Sequence, residues 1–89
     1  MAQVHFTAHL RSVAARSPVE ADGAIVRDAL RNVFLTNPRL QSYVLDEQGA
    51  LRQHVCVFLD GERLLNENAL EAKVQSGSEI YVMQALSGG

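Results

Sequence analysis

The residues with the most chemistry in reach are Gly88 and Gly89, which close the sequence. Glycine has no side chain, so groups of another protein can approach its backbone closely, and it takes angles barred to other residues. As a last residue, Gly89 would carry an α-carboxylate that no substituent shields. From Ala85 to Gly89 an extended strip reaches about 16–18 Å. Leu86, Ser87, Gly88 and Gly89 are therefore expected to form a thin, flexible tail able to enter another protein's active site, with the Gly89 carboxylate as the reacting group. A frayed chain end or a remnant of cloning would carry the same two glycines, so the preceding residues have to decide.

Within the rest of the chain no self-contained active site is legible. The histidines are His5, His9 and His54. His5 and His9 share a face if residues 3–10 form a strand, but four strand residues separate them by about 13 Å, too far for one metal ion. His54 could approach them from another strand, yet no acidic or cysteine partner completes a set at ligand spacing. These histidines read as solvated sheet-face residues, and no metal site is expected. Ser76 and Ser78 flank Gly77 with no base nearby in sequence, and Gly77 sits in no phosphate-loop pattern. Asp60 and Glu62 bracket a turn and read as turn chemistry. Cys56 is the single cysteine. It excludes an internal disulfide and reads as a buried or half-buried structural thiol. The expectation is a chain that is not an enzyme and binds no cofactor itself.

A tail that reacts needs a body to hold it. The 89 residues fit one small domain, 47% hydrophobic and 20% charged, so a folded core is expected. We expect that domain to span residues 1–84 and the tail 85–89. The net charge of −2 and the scattered arginines lack the basic face that nucleic acid requires. No apolar stretch approaches the length of a membrane span, and the first residues do not read as a secretory signal. A cytoplasmic protein without membrane or nucleic-acid partners is expected.

Val4, Phe6, Ala8 and Leu10 alternate with His5, Thr7 and His9, the period-2 signature of a half-buried strand over 3–10. A turn through Arg16-Ser17-Pro18 leads to a short strand near Val19-Glu20-Ala21. Asp22 is the expected N-cap of a helix over 24–36. Ile25, Val26, Ala29, Leu30, Val33 and Phe34 give that helix one apolar stripe, and Asn37-Pro38 stops it. Residues 39–53 hold one or two helical turns and a turn at 46–49. A strand over 54–59, the hairpin signal Asp60-Gly61 and a return strand over 62–65 follow. A short helical piece lies within 66–74, with Leu70 and Val74 inward, and a final strand covers 79–84. The result is an α+β domain with one main helix across one sheet face. Leu30, Val33 and Phe34 should pack on Phe6, Val57, Ile80 and Val82, with the first and last strands as parallel central neighbours.

Alternation then assigns an outer face. If Ile80 and Val82 face the helix, Tyr81 and Met83 face away from it. If Val55, Val57 and Leu59 face inward, Phe58 faces out. On neighbouring strands Phe58, Tyr81 and Met83 would form an apolar patch, with Leu86 beside it, and such clusters are interface material. The alternative is that residues 39–53 fold over this face and bury it.

The segments Val57-Phe58-Leu59-Asp60-Gly61-Glu62 and Gly77-Ser78-Glu79-Ile80, with Ala85-Leu86-Ser87-Gly88-Gly89, resemble the β-grasp sulfur carriers of the MoaD/ThiS family. Ubiquitin shares that fold and tail. Residues 45–55 also resemble the longer connecting segment of members tied to cysteine biosynthesis. The resemblance implies a ubiquitin-like β-grasp with a mixed sheet of four to five strands. It further implies that an E1-like adenylyltransferase and sulfurtransferase, using ATP and Mg, adenylates Gly89 and converts it to a thiocarboxylate. An acceptor enzyme of molybdopterin, thiamine or cysteine biosynthesis would then receive the sulfur. Phe58, Tyr81 and Met83 would bind these partners. Some family tails have proline where the chain leaves the sheet; Ala85-Leu86 stands there in this chain. The same tail would serve a modifier joined through Gly89 to target lysines, and a plain interaction domain remains a third reading.

Overall fold

The first and the last alternating segments fold against each other. In the computed structural model, which describes residues 1–7, 9–14 and 17–84, β1 (Ala2–Thr7) and β5 (Glu79–Gln84) pair in parallel, from Gln3 opposite Glu79 to Thr7 opposite Met83. β2 (Val19–Ala21) adds antiparallel to β1. On the other side β3 (Val55–Leu59) lies antiparallel to β5, and β4 (Glu62–Leu64) antiparallel to β3. The mixed sheet has the order β2-β1-β5-β3-β4. Four helices complete the described chain: α1 (His9–Val13), α2 (Val26–Thr36), α3 (Pro38–Val44) and α4 (Asn66–Ala69).

Parallel neighbours need a crossover, and α2 provides its main covering element. Its stripe Val26, Ala29, Leu30, Val33 and Phe34 is buried in one cluster with Val4, Phe6, Val55, Val57, Ile80 and Val82. The expected core is therefore the observed one. Gly23 lets the chain pass close to α2: a Cβ there would collide with the backbone nitrogen of Ala29.

Three local expectations are corrected. The first strand ends at Thr7, and Leu10 is buried from α1 rather than from a strand. Ala8 and Arg16 lie outside the described residues. Asp22 is not the N-cap of α2; Ile25 holds that place, extended and without a side-chain cap bond. The first N–H groups of the helix are instead satisfied by a distant loop. Val26 N–H donates to the Ala72 carbonyl at 3.0 Å and Arg27 N–H to that of Leu70 at 2.9 Å. The main helix accordingly starts at Val26, two residues later than expected.

The remaining punctuation matches the sequence. Asp60 and Gly61 both take positive φ, 50° and 88°, as a tight two-residue hairpin requires. Asp60 also ties the hairpin to β5. Its Oδ1 accepts the Glu79 N–H at 2.8 Å, and its own N–H donates to the Glu79 carbonyl at 2.8 Å. Ser78, 4% exposed, donates to Asp60 Oδ2 and accepts the Gln75 N–H. Ser17 Oγ accepts the Phe6 N–H at 2.9 Å, just past the last residue that β2 pairs. Pro38 opens α3, from which Leu40 and Val44 enter the core. In the turn after α3, Asp46 Oδ1 accepts the N–H groups of Gln48 and Ala50 at 2.8 and 3.0 Å.

Leu30→Ala is expected to cost about 2–5 kcal/mol in denaturant unfolding, because Leu30 is fully buried under the sheet. A second expectation concerns acid. The backbone hydrogen bond from Ala50, then that from Gln48, hold the Asp46 carboxyl below its ordinary value of 3.8. A depressed folded value means that the contribution of Asp46 is present above pH 3.8 and is lost as pH falls through the lower folded value. Asp46→Asn should therefore melt below wild type at pH 7, with the gap closing in more acidic buffer.

Candidate functional site

The pairing that builds the core also orders the opposite face of the sheet. His5 stands opposite Tyr81, Tyr81 opposite Phe58, and Phe58 opposite Arg63. One row thus crosses β1, β5, β3 and β4. The next row holds Thr7, Met83 and Cys56. Phe58, Tyr81 and Met83 are therefore neighbours on one face. Tyr81 is 38% exposed, while Phe58, Met83 and Cys56 are half-buried. Residues 39–53 do not cover them: Leu40, Val44 and Leu51 belong to the core on the helix side.

Tyr81 is held in place. The His5 ring stacks on it with centroids 4.2 Å apart and planes 5° from parallel. His5 Nε2 lies 2.5 Å from Glu79 Oε1, two residues before Tyr81 on the same strand. Strand neighbours stand roughly 4.8 Å apart, so opposed aromatic rings on one face meet almost plane to plane. A ring ordered in advance loses less freedom when a partner covers it. Gln3 Nε2 reaches Glu20 Oε2 at 3.3 Å and closes the row beyond Glu79.

The expectation of three solvated sheet-face histidines changes accordingly. His5 is on that face, but its side chain is only 21% exposed and is engaged on two sides. His9 begins α1 rather than continuing the strand, and its side chain lies outside the described parts. His54 is exposed in the turn before β3. Among the described residues no three His, Cys, Asp or Glu side chains gather where they could hold a metal ion. The Thr7 Oγ1 is buried without a hydrogen-bond partner among them. His5 and Glu79 carry no local signal that would mark them as residues of this face. Only the parallel register of β1 on β5 brings them to Tyr81. Leu86, Ser87, Gly88 and Gly89 lie outside the described residues; the last described residue, Gln84, is in the central strand opposite Val55.

No family model matches this sequence, and no curated protein does. Solved structures do. The crystal structure of SAMP1, the small archaeal modifier protein 1, from Haloferax volcanii is 31% identical over 99% of this chain and 98% of its own, with a TM-score of 0.81. The chain belongs to the ubiquitin-like sulfur carrier and modifier proteins of the MoaD/ThiS type. Two more distant members share the fold. A chain of the Amycolatopsis orientalis BexX/CysO complex matches over 100% of both chains at 24% identity and TM-score 0.85. Urm1 from Trypanosoma brucei matches over 99% of this chain and 94% of its own at 16% identity and TM-score 0.74. The architecture of this ubiquitin-like chain is thus a β-grasp. No helix among the described residues is long and apolar enough to cross a membrane.

The two faces should respond differently to substitution. Phe58→Asp loses a cross-strand aromatic pair and a favoured strand residue, a cost of about 1–2 kcal/mol, and should leave the circular dichroism of the fold unchanged. Val57→Asp, one residue away and fully buried, should abolish folding. Equal losses at the two positions would contradict the assignment of faces.

Proposed function

We propose that this chain is a sulfur carrier whose reacting group is the α-carboxylate of Gly89. A carboxylate is a poor electrophile until one oxygen joins a good leaving group. An E1-like enzyme would supply ATP and Mg. The Gly89 carboxylate attacks the α-phosphorus, pyrophosphate leaves, and an acyl adenylate results. Sulfur from an enzyme persulfide then displaces AMP, and thiol cleavage of the acyl disulfide leaves a thiocarboxylate. The carrier docks on an acceptor enzyme of cofactor or amino-acid biosynthesis, with molybdopterin, thiamine and cysteine as the pathways to try. Gly88 keeps the tail narrow, and Gly89 leaves the attacked carbon unhindered. ATP site and catalytic groups belong to the partners.

The observation that carries this reading is kinship with SAMP1 over 99% of a chain that holds Gly88-Gly89. The face of Tyr81, Phe58 and Met83 supports docking, since aromatic anchors supply much of the energy of protein interfaces. A second reading is favoured by the name of the same relative, a modifier: conjugation of Gly89 to lysines of target proteins. Both readings share the adenylation step and diverge after it.

Mass spectrometry of chain isolated from its native host separates them. One oxygen replaced by sulfur on the C-terminal peptide identifies the carrier, and branched Gly-Gly remnants on lysines identify the modifier. Deleting Gly89 should leave folding and melting unchanged yet abolish ATP–pyrophosphate exchange with the activating enzyme. The carboxylate would sit about 3.3–3.6 Å from its required position, and misplacement of about 1 Å already costs roughly a hundredfold in rate. Exchange at the wild-type rate would sink both readings. Phe58→Asp should weaken binding to the activating enzyme about 30-fold, the equivalent of about 2 kcal/mol at an interface anchor. Unchanged affinity by calorimetry would remove Phe58 from the interface.

A further inference from the structure

The side of the molecule away from the sheet carries a second feature, which the tail chemistry does not use. A cleft of about 190 Å³ runs between α2, α3 and the turn following Ala69. Leu30, Phe34 and Leu70 line it with apolar surface, and Leu45 and Gln41 belong to its opposite side. Arg27, Arg31 and Leu35 follow one another at i, i+4 and i+8 on α2 and form its rim. Leu35 is 76% exposed and adds apolar surface to the rim. The lining includes two guanidinium groups and no carboxylate. Arg27 is held at the rim by its hydrogen bond to Glu71. Arg31 is exposed and makes no ion pair among the described residues.

Size and charge together select the occupant. Small-molecule and cofactor pockets occupy about 300–1,000 Å³; this cleft is smaller, and suits one or two side chains. An apolar floor beside an unpaired guanidinium fits a large apolar side chain next to a carboxylate, because arginine takes carboxylates in a two-pronged geometry that lysine cannot offer. Arg31 therefore offers an acidic segment a charge that no carboxylate of the cleft lining matches.

We propose that this cleft is a docking site for a short segment of a partner protein that carries a leucine or phenylalanine flanked by aspartate or glutamate. The site goes beyond the proposed tail chemistry. It lies on the helix side, so it can be filled while the outer sheet face is covered by another protein.

The probe is a capped hexapeptide, acetyl-Ser-Asp-Leu-Phe-Asp-Ser-amide, titrated into ¹⁵N-labelled full chain and followed by amide shifts. The expected result is saturable shifts at residues 27–35, 45–49 and 70, with a Kd of about 1 mM or tighter, as befits a few contacts. The control peptide with lysine in place of both aspartates should not bind. Arg31→Glu should weaken the acidic peptide about tenfold, the worth of one charge-assisted pair, and should admit the lysine peptide. Because Arg31 is exposed, the variant is expected to keep the wild-type spectrum elsewhere. No shifts at several times that peptide concentration would overturn the proposal. So would shifts confined to the outer sheet face, equal binding of the two peptides, or peptide-free shifts in the cleft that grow with protein concentration, which would assign it to a second copy of the chain.

Discussion

The parallel pairing of β1 with β5 is the constraint on which the rest depends. It brings the first and the last strand together in the middle of the sheet. The side-chain period of a strand is two, so a slip of one residue would carry Ile80 and Val82 to solvent and Tyr81 and Met83 into the core. The hydrophobic core and the outer face are therefore set by one register. Asp60 fixes the start of β5 against β3 in turn: its backbone N–H and its carboxylate both bond the Glu79 peptide groups, and Ser78 bonds the same carboxylate. A hairpin formed by neighbouring residues thereby fixes where a strand from the far end of the chain begins.

Pairing of this kind is entirely non-local. Gln3 meets Glu79 only after every intervening element is in place or can move aside. Loop closure has to be offset before such contacts form, which slows folding relative to local topologies. The capping of α2 has the same character. Its first N–H groups are satisfied by Leu70 and Ala72 rather than by a neighbouring side chain. The helix start and the loop after α4 thus stabilise each other, and neither is complete alone.

That distinction explains what was legible in the sequence. Elements with a long period or a strong local signal could be read: the apolar stripe of α2, the alternation at 79–84, and the Asp60-Gly61 turn. Alternation along β3 and β5, as neighbouring strands, also gives the outer patch. The helix α1 could not be read, because His9–Val13 is one turn and a bit. Leu10 continues the alternation of Val4 and Phe6 while also fitting a helix, and period alone does not separate the two over so few residues. Asp22 had the chemistry of a cap, but tertiary carbonyls took the role. His5 looked like a solvated residue because its partners, Tyr81 and Glu79, are more than seventy positions away. The tail was read from residue type alone, and its residues are outside the described structure.

A domain with an apolar sheet face risks presenting it to copies of itself. Exposed strand edges are where such self-pairing starts, and short or charged edges prevent it. Both edges here are of that kind. β2 and β4 have three residues each, with Glu20 on one and Glu62 and Arg63 on the other, all exposed. The apolar outer residues stand between these edges, on the inner strands β3 and β5. Phe58, Met83 and Cys56 are half-buried by their neighbours, which leaves Tyr81 as the most open aromatic of the patch. Its ring is stacked on His5 from β1, so its ordered position lasts only while β1 and β5 are paired. Partial unfolding of either strand disorders the ring together with the core. A partner that recognised the ordered ring would bind the native state alone and stabilise it by mass action, a gain of consequence because domains of this length typically have only about 4–13 kcal/mol of stability.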